Sequence, residues 1–237
     1  SAMIYPIVLL VTGIISVFLL LVFVVPQFAA MFEDAGTGIP PSALFLLNLS
    51  DFIQSYGYLF IILAVSLVFF WYRLDKDPVT KLQKDNFLLS LPLIGRLILY
   101  KECAVFSRTL GALLGAGIPL IRSLRVSREV VVNTVLSKHL TDVEEDVRGG
   151  AGLGISIEKT GIFPTLLHQL VAVGEESGRT SEILLKSAST FDNYVRTQMS
   201  VIVSAMQPAL IIFLAIAVGG ITITMLSAVF SMNAVEF

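Results

Sequence analysis

RTQMSVIVSAMQPALIIFLAIAVGGITITMLSAVF (residues 196–230) carries its only charge on its first residue. Arg196 is also the last Lys or Arg of the chain. The stretch after it is uncharged, apolar and longer than a bilayer core requires, so residues 201–230 are read as a membrane span. The hydrocarbon part is expected within residues 208–230, with the preceding turns continuing a cytoplasmic helix and Pro208 at the junction. Toward the N-terminus the charge pattern inverts. All 16 Lys and Arg lie between Arg73 and Arg196. Of the 18 acidic residues only Glu33, Asp34, Asp51 and Glu236 lie outside that block.

Before the block stand two further apolar runs. Residues 4–25 would extend about 33 Å as a helix, enough to cross a bilayer core. They lack the basic start and small-residue cleavage site of a signal peptide. Residues 58–72 form the other run, with Tyr56 and Tyr58 at one end and Trp71 and Tyr72 at the other, as in aromatic belts at two interfaces. Because basic residues stay on the cytoplasmic side, three spans have one solution. The chain starts inside; residues 26–57 are an outer loop, residues 73–199 are cytoplasmic and residues 231–237 are an outer tail. Residues 1–3 read as a cloning remnant and chain start, which makes the chain a piece of a longer one.

The runs hold no Asp, Glu, Lys, Arg or His, which argues against an ion pump or channel. Thr12, Ser16, Ser66, Thr222 and Thr224 are expected at helix–helix contacts. Gly219 and Gly220, with Ala215, form a small-residue patch suited to close packing within one chain or between subunits.

In the cytoplasmic block apolar residues recur at helical spacing. Leu136, Leu140, Val143 and Val147 form one stripe, and Phe106, Leu110 and Leu113 another. Leu166, Leu167, Leu170 and Val171 form a third; Ile183, Leu184, Ala188, Phe191 and Val195 form the fourth. Four stripes with short Gly- and Pro-rich connections predict an antiparallel helix bundle over residues 100–200. A linker over residues 73–99, helical near residues 79–90 and broken at LPLIG (residues 91–95), precedes it. The fold class is therefore all-α: a polytopic membrane protein with three transmembrane helices and a cytoplasmic antiparallel helix bundle.

Two turns stand out. In GAGIPL (residues 115–120), Gly115 or Gly117 can end a helix in the left-handed conformation, and Pro119 suits the first turn of the next. In VGEESGR (residues 173–179), which opens with Val173 and Gly174, Gly178 can close one helix and Thr180 or Ser181 can cap the next. Gly149, Gly150, Gly152 and Gly154 lack the Lys-Ser/Thr of a phosphate loop and read as a flexible connector. Cys103, the single cysteine, reads as a small buried hydrophobe. His139 and His168 have no second ligand at metal spacing and are expected at the surface or rim. No nucleophile constellation, metal spacing or cofactor motif points to an enzyme. The nearly balanced block excludes a nucleic-acid footprint.

Phe106 opens FSRTLGALLGAGIPL (residues 106–120), and Phe163 opens FPTLLHQLVAVGEESGRTSEIL (residues 163–184). Both resemble the second cytoplasmic domain of the type II secretion system protein F family, which includes the type IV pilus inner-membrane platform proteins. VVPQFAAMFEDAGTGIP (residues 24–40) and the Ser50–Asp51 pair resemble the same family. Members usually carry a homologous cytoplasmic domain before the first span, which this chain lacks. The resemblance implies a non-enzymatic platform in the bacterial inner membrane, with the outer segments periplasmic. It implies a hexameric secretion or pilus ATPase, other platform subunits, pilin-like subunits, membrane lipid and further copies of the chain as partners. MFEDAG (residues 31–36) and VFSMN (residues 229–233) favour secretion over piliation.

Two charged groups are candidate partner interfaces. Glu175, Glu176 and Arg179 surround the second turn. They fit either a contact surface or a helix-terminal salt bridge, and turn chemistry favours the salt bridge. Asp142, Glu145 and Asp146 share a helix face. They fit a cation or basic partner, but Lys138 and Arg148 lie within pairing distance, which favours a solvated face. A rival class, a transporter subunit docking an ATPase, is disfavoured by the uncharged spans.

Overall fold

The computed structural model describes residues 4–27, 41–73 and 77–233. It is all-helical, with no strand among the described residues. Among the described residues, two helices are long and apolar enough to cross a membrane, within Val8–Gln27 and Thr180–Ser227. The chain divides into two compact units, Ser1–Phe69 with Ser200–Phe237, and Phe70–Met199. The helices are α1 (Ile4–Leu19), α2 (Pro41–Arg73), α3 (Pro78–Ser90), α4 (Ile94–Gly115), α5 (Leu120–Glu129), α6 (Thr134–Arg148), α7 (Leu153–Lys159), α8 (Thr165–Glu176) and α9 (Thr180–Asn233).

In the first unit, α1 runs into a π-helical segment, Leu20–Val24, where the Val25 N–H bonds back to Leu20 O. A π segment leaves carbonyls poorly matched to the α-helical ladder, and apolar surroundings offer no water to satisfy them. Two side chains of α2 supply the missing donors. Ser50, fully buried, donates to Leu21 O at 2.6 Å. Gln54 donates to Val22 O at 3.4 Å and to Ser50 Oγ at 3.1 Å. Leu21, Val25 and Ile221 form the buried core here, flanked by Leu46, Leu49 and Ile53. Gly13 permits a close approach to α9: a Cβ there would stand 2.7 Å from a Leu214 methyl.

Part of the expected outer loop is therefore helix. The 33-residue α2 begins at Pro41 and continues through residues 58–72 without a break. Its early turns are helical because Leu46, Leu49 and Ile53 pack on the α1 core. The polar residues expected at helix–helix contacts behave differently. Thr12, Thr222 and Thr224 donate to carbonyls of their own helices, at Val8, Val218 and Gly220. Gly219 and Gly220 would meet nothing within 4 Å if given a Cβ. Residues 1–3, the MFEDAG segment and residues 234–237 lie outside the described residues, while α9 runs through 231–233.

The second unit comprises α3 to α8 and α9 as far as Met199. Phe106, Leu110, Leu136, Leu140, Val143, Leu167, Val171, Leu184 and Phe191 are buried together. The four apolar stripes therefore converge. Each fully buried Leu or Phe contributes about 1.5–3 kcal/mol relative to exposure. Leu166 departs from its stripe and is exposed at 40%. Tyr100 stacks on Tyr194 and meets Phe191 edge-on, joining α4 to α9. An Arg108–Asp192 ion pair ties the same helices.

Helix α3, expected as a linker, packs against α4 and α6. Asp85 of α3 explains why. Its buried carboxylate accepts both the N–H and the hydroxyl of Thr134 at 2.7 Å. Asn133 accepts from Val135 and Leu136 N–H, both at 3.1 Å, so the N-terminus of α6 is capped from two sides.

Candidate partner-binding face of the helical unit

Helices α4, α6 and α8 end in the same way. Gly117, Gly150 and Gly178 take φ of 78°, 95° and 66°. The N–H of the following residue bonds back five positions, Ile118 to Leu113, Ala151 to Asp146 and Arg179 to Gly174. This is the Schellman arrangement, which satisfies carbonyls that a helix end leaves open. Gly117, not Gly115, takes the left-handed conformation. Gly115 stays helical, and with Gly111 it lets α9 approach: a Cβ at Gly115 would stand 2.8 Å from Ser181 Oγ. Pro119 sits at the N-cap of α5 rather than inside its first turn. Ser181 caps nothing on α9; it donates to Gly111 O at 2.7 Å.

Glu175 has the most consequential placement. Leu153 N–H donates to its Oε1 at 2.6 Å and Gly154 N–H to its Oε2 at 2.8 Å. Helix α7 starts after Gly152, which has no side chain to cap it. The carboxylate of α8 supplies the cap instead, with charge-assisted bonds at the positive end of the helix. The glycine run is thus a fixed turn rather than a flexible connector. Gly150 supplies the left-handed turn, and Gly154 lies so close to α8 that a Cβ would stand 2.9 Å from Ala172. Gly174 plays the same part against Thr180, at 3.0 Å. The turns converge on a cleft of about 310 Å³ lined by Leu114, Leu120, Leu153, Glu175, Gly178 and Thr180.

The other two residues of the predicted turn site differ from Glu175. Arg179 pairs with Glu182 at 2.6 Å, not with Glu175 or Glu176. Glu176 is exposed and has no hydrogen bond or ion pair among the described residues. The acidic face of α6 lines a second cleft with Ser156, Lys159 and Thr160. Lys159 of α7 pairs with Asp146 at 2.9 Å, and His139 stands 3.7 Å from Asp142. The expected pairing of Arg148 with this face does not occur. Arg148 bonds Glu144 at 2.7 Å.

Glu144 was missed by sequence reading. Its side chain, 6% exposed, also meets Arg125 at 3.3 Å and Arg128 at 3.5 Å, joining α5 to α6. The available signal was a carboxylate inside the Leu140–Val143–Val147 stripe with Arg four residues on. Glu102, buried on α4, accepts Val132 N–H at 2.9 Å. Cys103 is buried, and burial together with the Glu102 charge pushes its thiol well above the ordinary value. Such a thiol is an inert packing element.

This architecture combines helices fit for a membrane with a separately packed helical unit whose carboxylates fix turns. The family model for type II secretion system (T2SS), protein F matches residues 106–228. The chain belongs to that family. It is 32% identical over 233 residues to type II secretion system protein F of Pseudomonas aeruginosa, a match covering 98% of this chain and 57% of the relative. The same figures hold for the protein F of Vibrio cholerae. Identity to the type IV pilus assembly protein PilC of Pseudomonas aeruginosa is 30% over 235 residues, covering 98% and 63%. The chain thus spans about three-fifths of the length of these relatives.

Proposed function

We propose that this chain is part of an inner-membrane platform of a type II secretion system, coupling a cytoplasmic hexameric ATPase to pseudopilin assembly and protein export. The observation that carries this is the family match across residues 106–228, which takes in most of the helical unit and the apolar part of α9. A type IV pilus platform is the second reading, supported by near-equal identity to PilC. The role is non-enzymatic: force and position pass through the helical unit to the spans. Other platform subunits, pilin-like subunits, lipid and further copies of the chain are its partners.

The topology within this reading has three spans, residues 4–25, 58–72 and 201–230. Residues 73–199 form a cytoplasmic antiparallel bundle with its linker, and the C-terminus is periplasmic. The distribution of all 16 basic residues supports it. A cysteine at Asn233 should react with a membrane-impermeant reagent from outside intact spheroplasts, and one at Ser137 should not. Labelling at Ser137 would overturn the topology.

Coupling is tested at the turn cluster. Glu176 and Arg179 are exposed and form the candidate ATPase contact, whereas Glu175 is structural. Purified Glu176→Gln should melt like the parent protein. Loss of ATPase capture at unchanged stability would identify a docking surface. Unchanged capture would leave the turn a structural element only.

A further inference from the structure

The Glu144 carboxylate gathers three arginines. Arg125 and Arg128 come from α5 and Arg148 from α6, and all three reach one carboxylate. One carboxylate neutralises one guanidinium, so two positive charges remain in excess at this spot. The Arg125 and Arg148 side chains are 56% and 54% exposed. Arg128 is held further by Thr141, at 2.9 Å. The buried acid therefore fixes the guanidiniums in place while leaving donors for another acceptor. Arg122, exposed one turn earlier on α5, extends the basic face.

The other flank of α6, toward α7, has the opposite sign. Asp142, Glu145 and Asp146 line the cleft of about 390 Å³, and Lys159 offsets only one of them. Two negative charges remain in excess. Each flank also exposes an aliphatic side chain, Val126 on α5 and Ile155 on α7. We propose that the arginine face of α5–α6 receives the acidic α6–α7 cleft of a second copy of this chain. The two faces are opposite in sign. A two-fold contact through either face alone would oppose like charges. The contact therefore joins unlike faces, either once in a head-to-tail arrangement or twice about a two-fold axis that sets each face on the other. This deepens the self-assembly part of the reading above by supplying its contact, and it does not depend on which machine the chain serves.

The test uses the full chain in detergent as two differently tagged forms, one carrying Arg125→Cys and the other Glu145→Cys, joined by a short bis-maleimide. Cys103 is buried and leaves a silent background. Arg128 and Arg148 remain on Glu144 in the first form. The mixed pair should cross-link. Raising salt from about 0.1 M to about 1 M shrinks the screening length to about 3 Å and should abolish the product. An absent mixed product, or equal yield from two Arg125→Cys copies, overturns the proposal. Glu145→Lys, at an exposed position without a partner among the described residues, should reduce co-purification of the two tagged forms by about tenfold. Circular dichroism should be unchanged. Retained co-purification with unchanged helicity also overturns it. ATPase capture by the same variant reports separately on the platform reading.

Discussion

Replacing Glu175 by Ala removes both acceptors that hold the start of α7. The two bonds, 2.6 and 2.8 Å, come from backbone N–H groups to a charged oxygen. A hydrogen bond to a charged group contributes about 1.5–3 kcal/mol net. Two such bonds set a ceiling of about 3–6 kcal/mol. Glu175 is only half-buried, so water can enter and satisfy part of what is lost. N-cap deletions, where water does enter, cost about 0.5–2 kcal/mol. The expected loss lies between these limits, at about 2–3 kcal/mol. Glu175→Gln keeps one acceptor but sets an NH2 against the other N–H, and should cost roughly half as much. Urea melts of the helical unit would measure both, with Glu176→Ala as a control expected within about 0.5 kcal/mol of the parent. Amide exchange at Leu153 and Gly154 should quicken in Glu175→Ala. If Glu175→Ala melts like the parent, or Glu176→Ala costs more, the capping argument is wrong.

Residues 77–199 should be soluble and helical without the rest of the chain, and a fragment beginning at residue 97 should be less stable because it lacks the Asp85 cap; circular dichroism and urea melts distinguish them. Val143→Asp in the longer fragment places an unpaired charge in a fully buried site, should cost several kcal/mol and should abolish the cooperative transition. A Cβ at Gly178 would meet no atom within 4 Å, so Gly178→Val should cost about 1–3 kcal/mol through backbone strain alone. Gly178→Asn should cost less, since Asn tolerates the left-handed conformation. Glu144→Ala should destabilise by about 1–3 kcal/mol in a denaturant melt, below the usual penalty of about 3–5 kcal/mol for breaking a buried pair, because Arg125 and Arg148 can return to water.

Much of this protein was legible without its fold. The apolar runs, the confinement of every base to one block and the four stripes of 3.6-residue period are local patterns. They suffice to predict helices, candidate spans and core residues such as Leu136, Val143 and Phe191. The Schellman glycine at 178 was legible for a similar reason: a helix end and a positive φ are decided within a few residues. What the tertiary structure alone decided was where each polar group finds its partner. The sequence places Glu175 beside Glu176 with nothing to separate them. Only the packing of α7 on α8 makes Glu175 a cap and leaves Glu176 exposed. Asp85 accepts the Thr134 N–H at the start of α6, and Glu102 accepts the Val132 N–H in the loop before it, both far along the chain. Backbone donors carry no side-chain identity and so leave no mark in the sequence. Arg148 has several acids within reach on α6, and it bonds Glu144 because burial makes that carboxylate the one most in need of a partner.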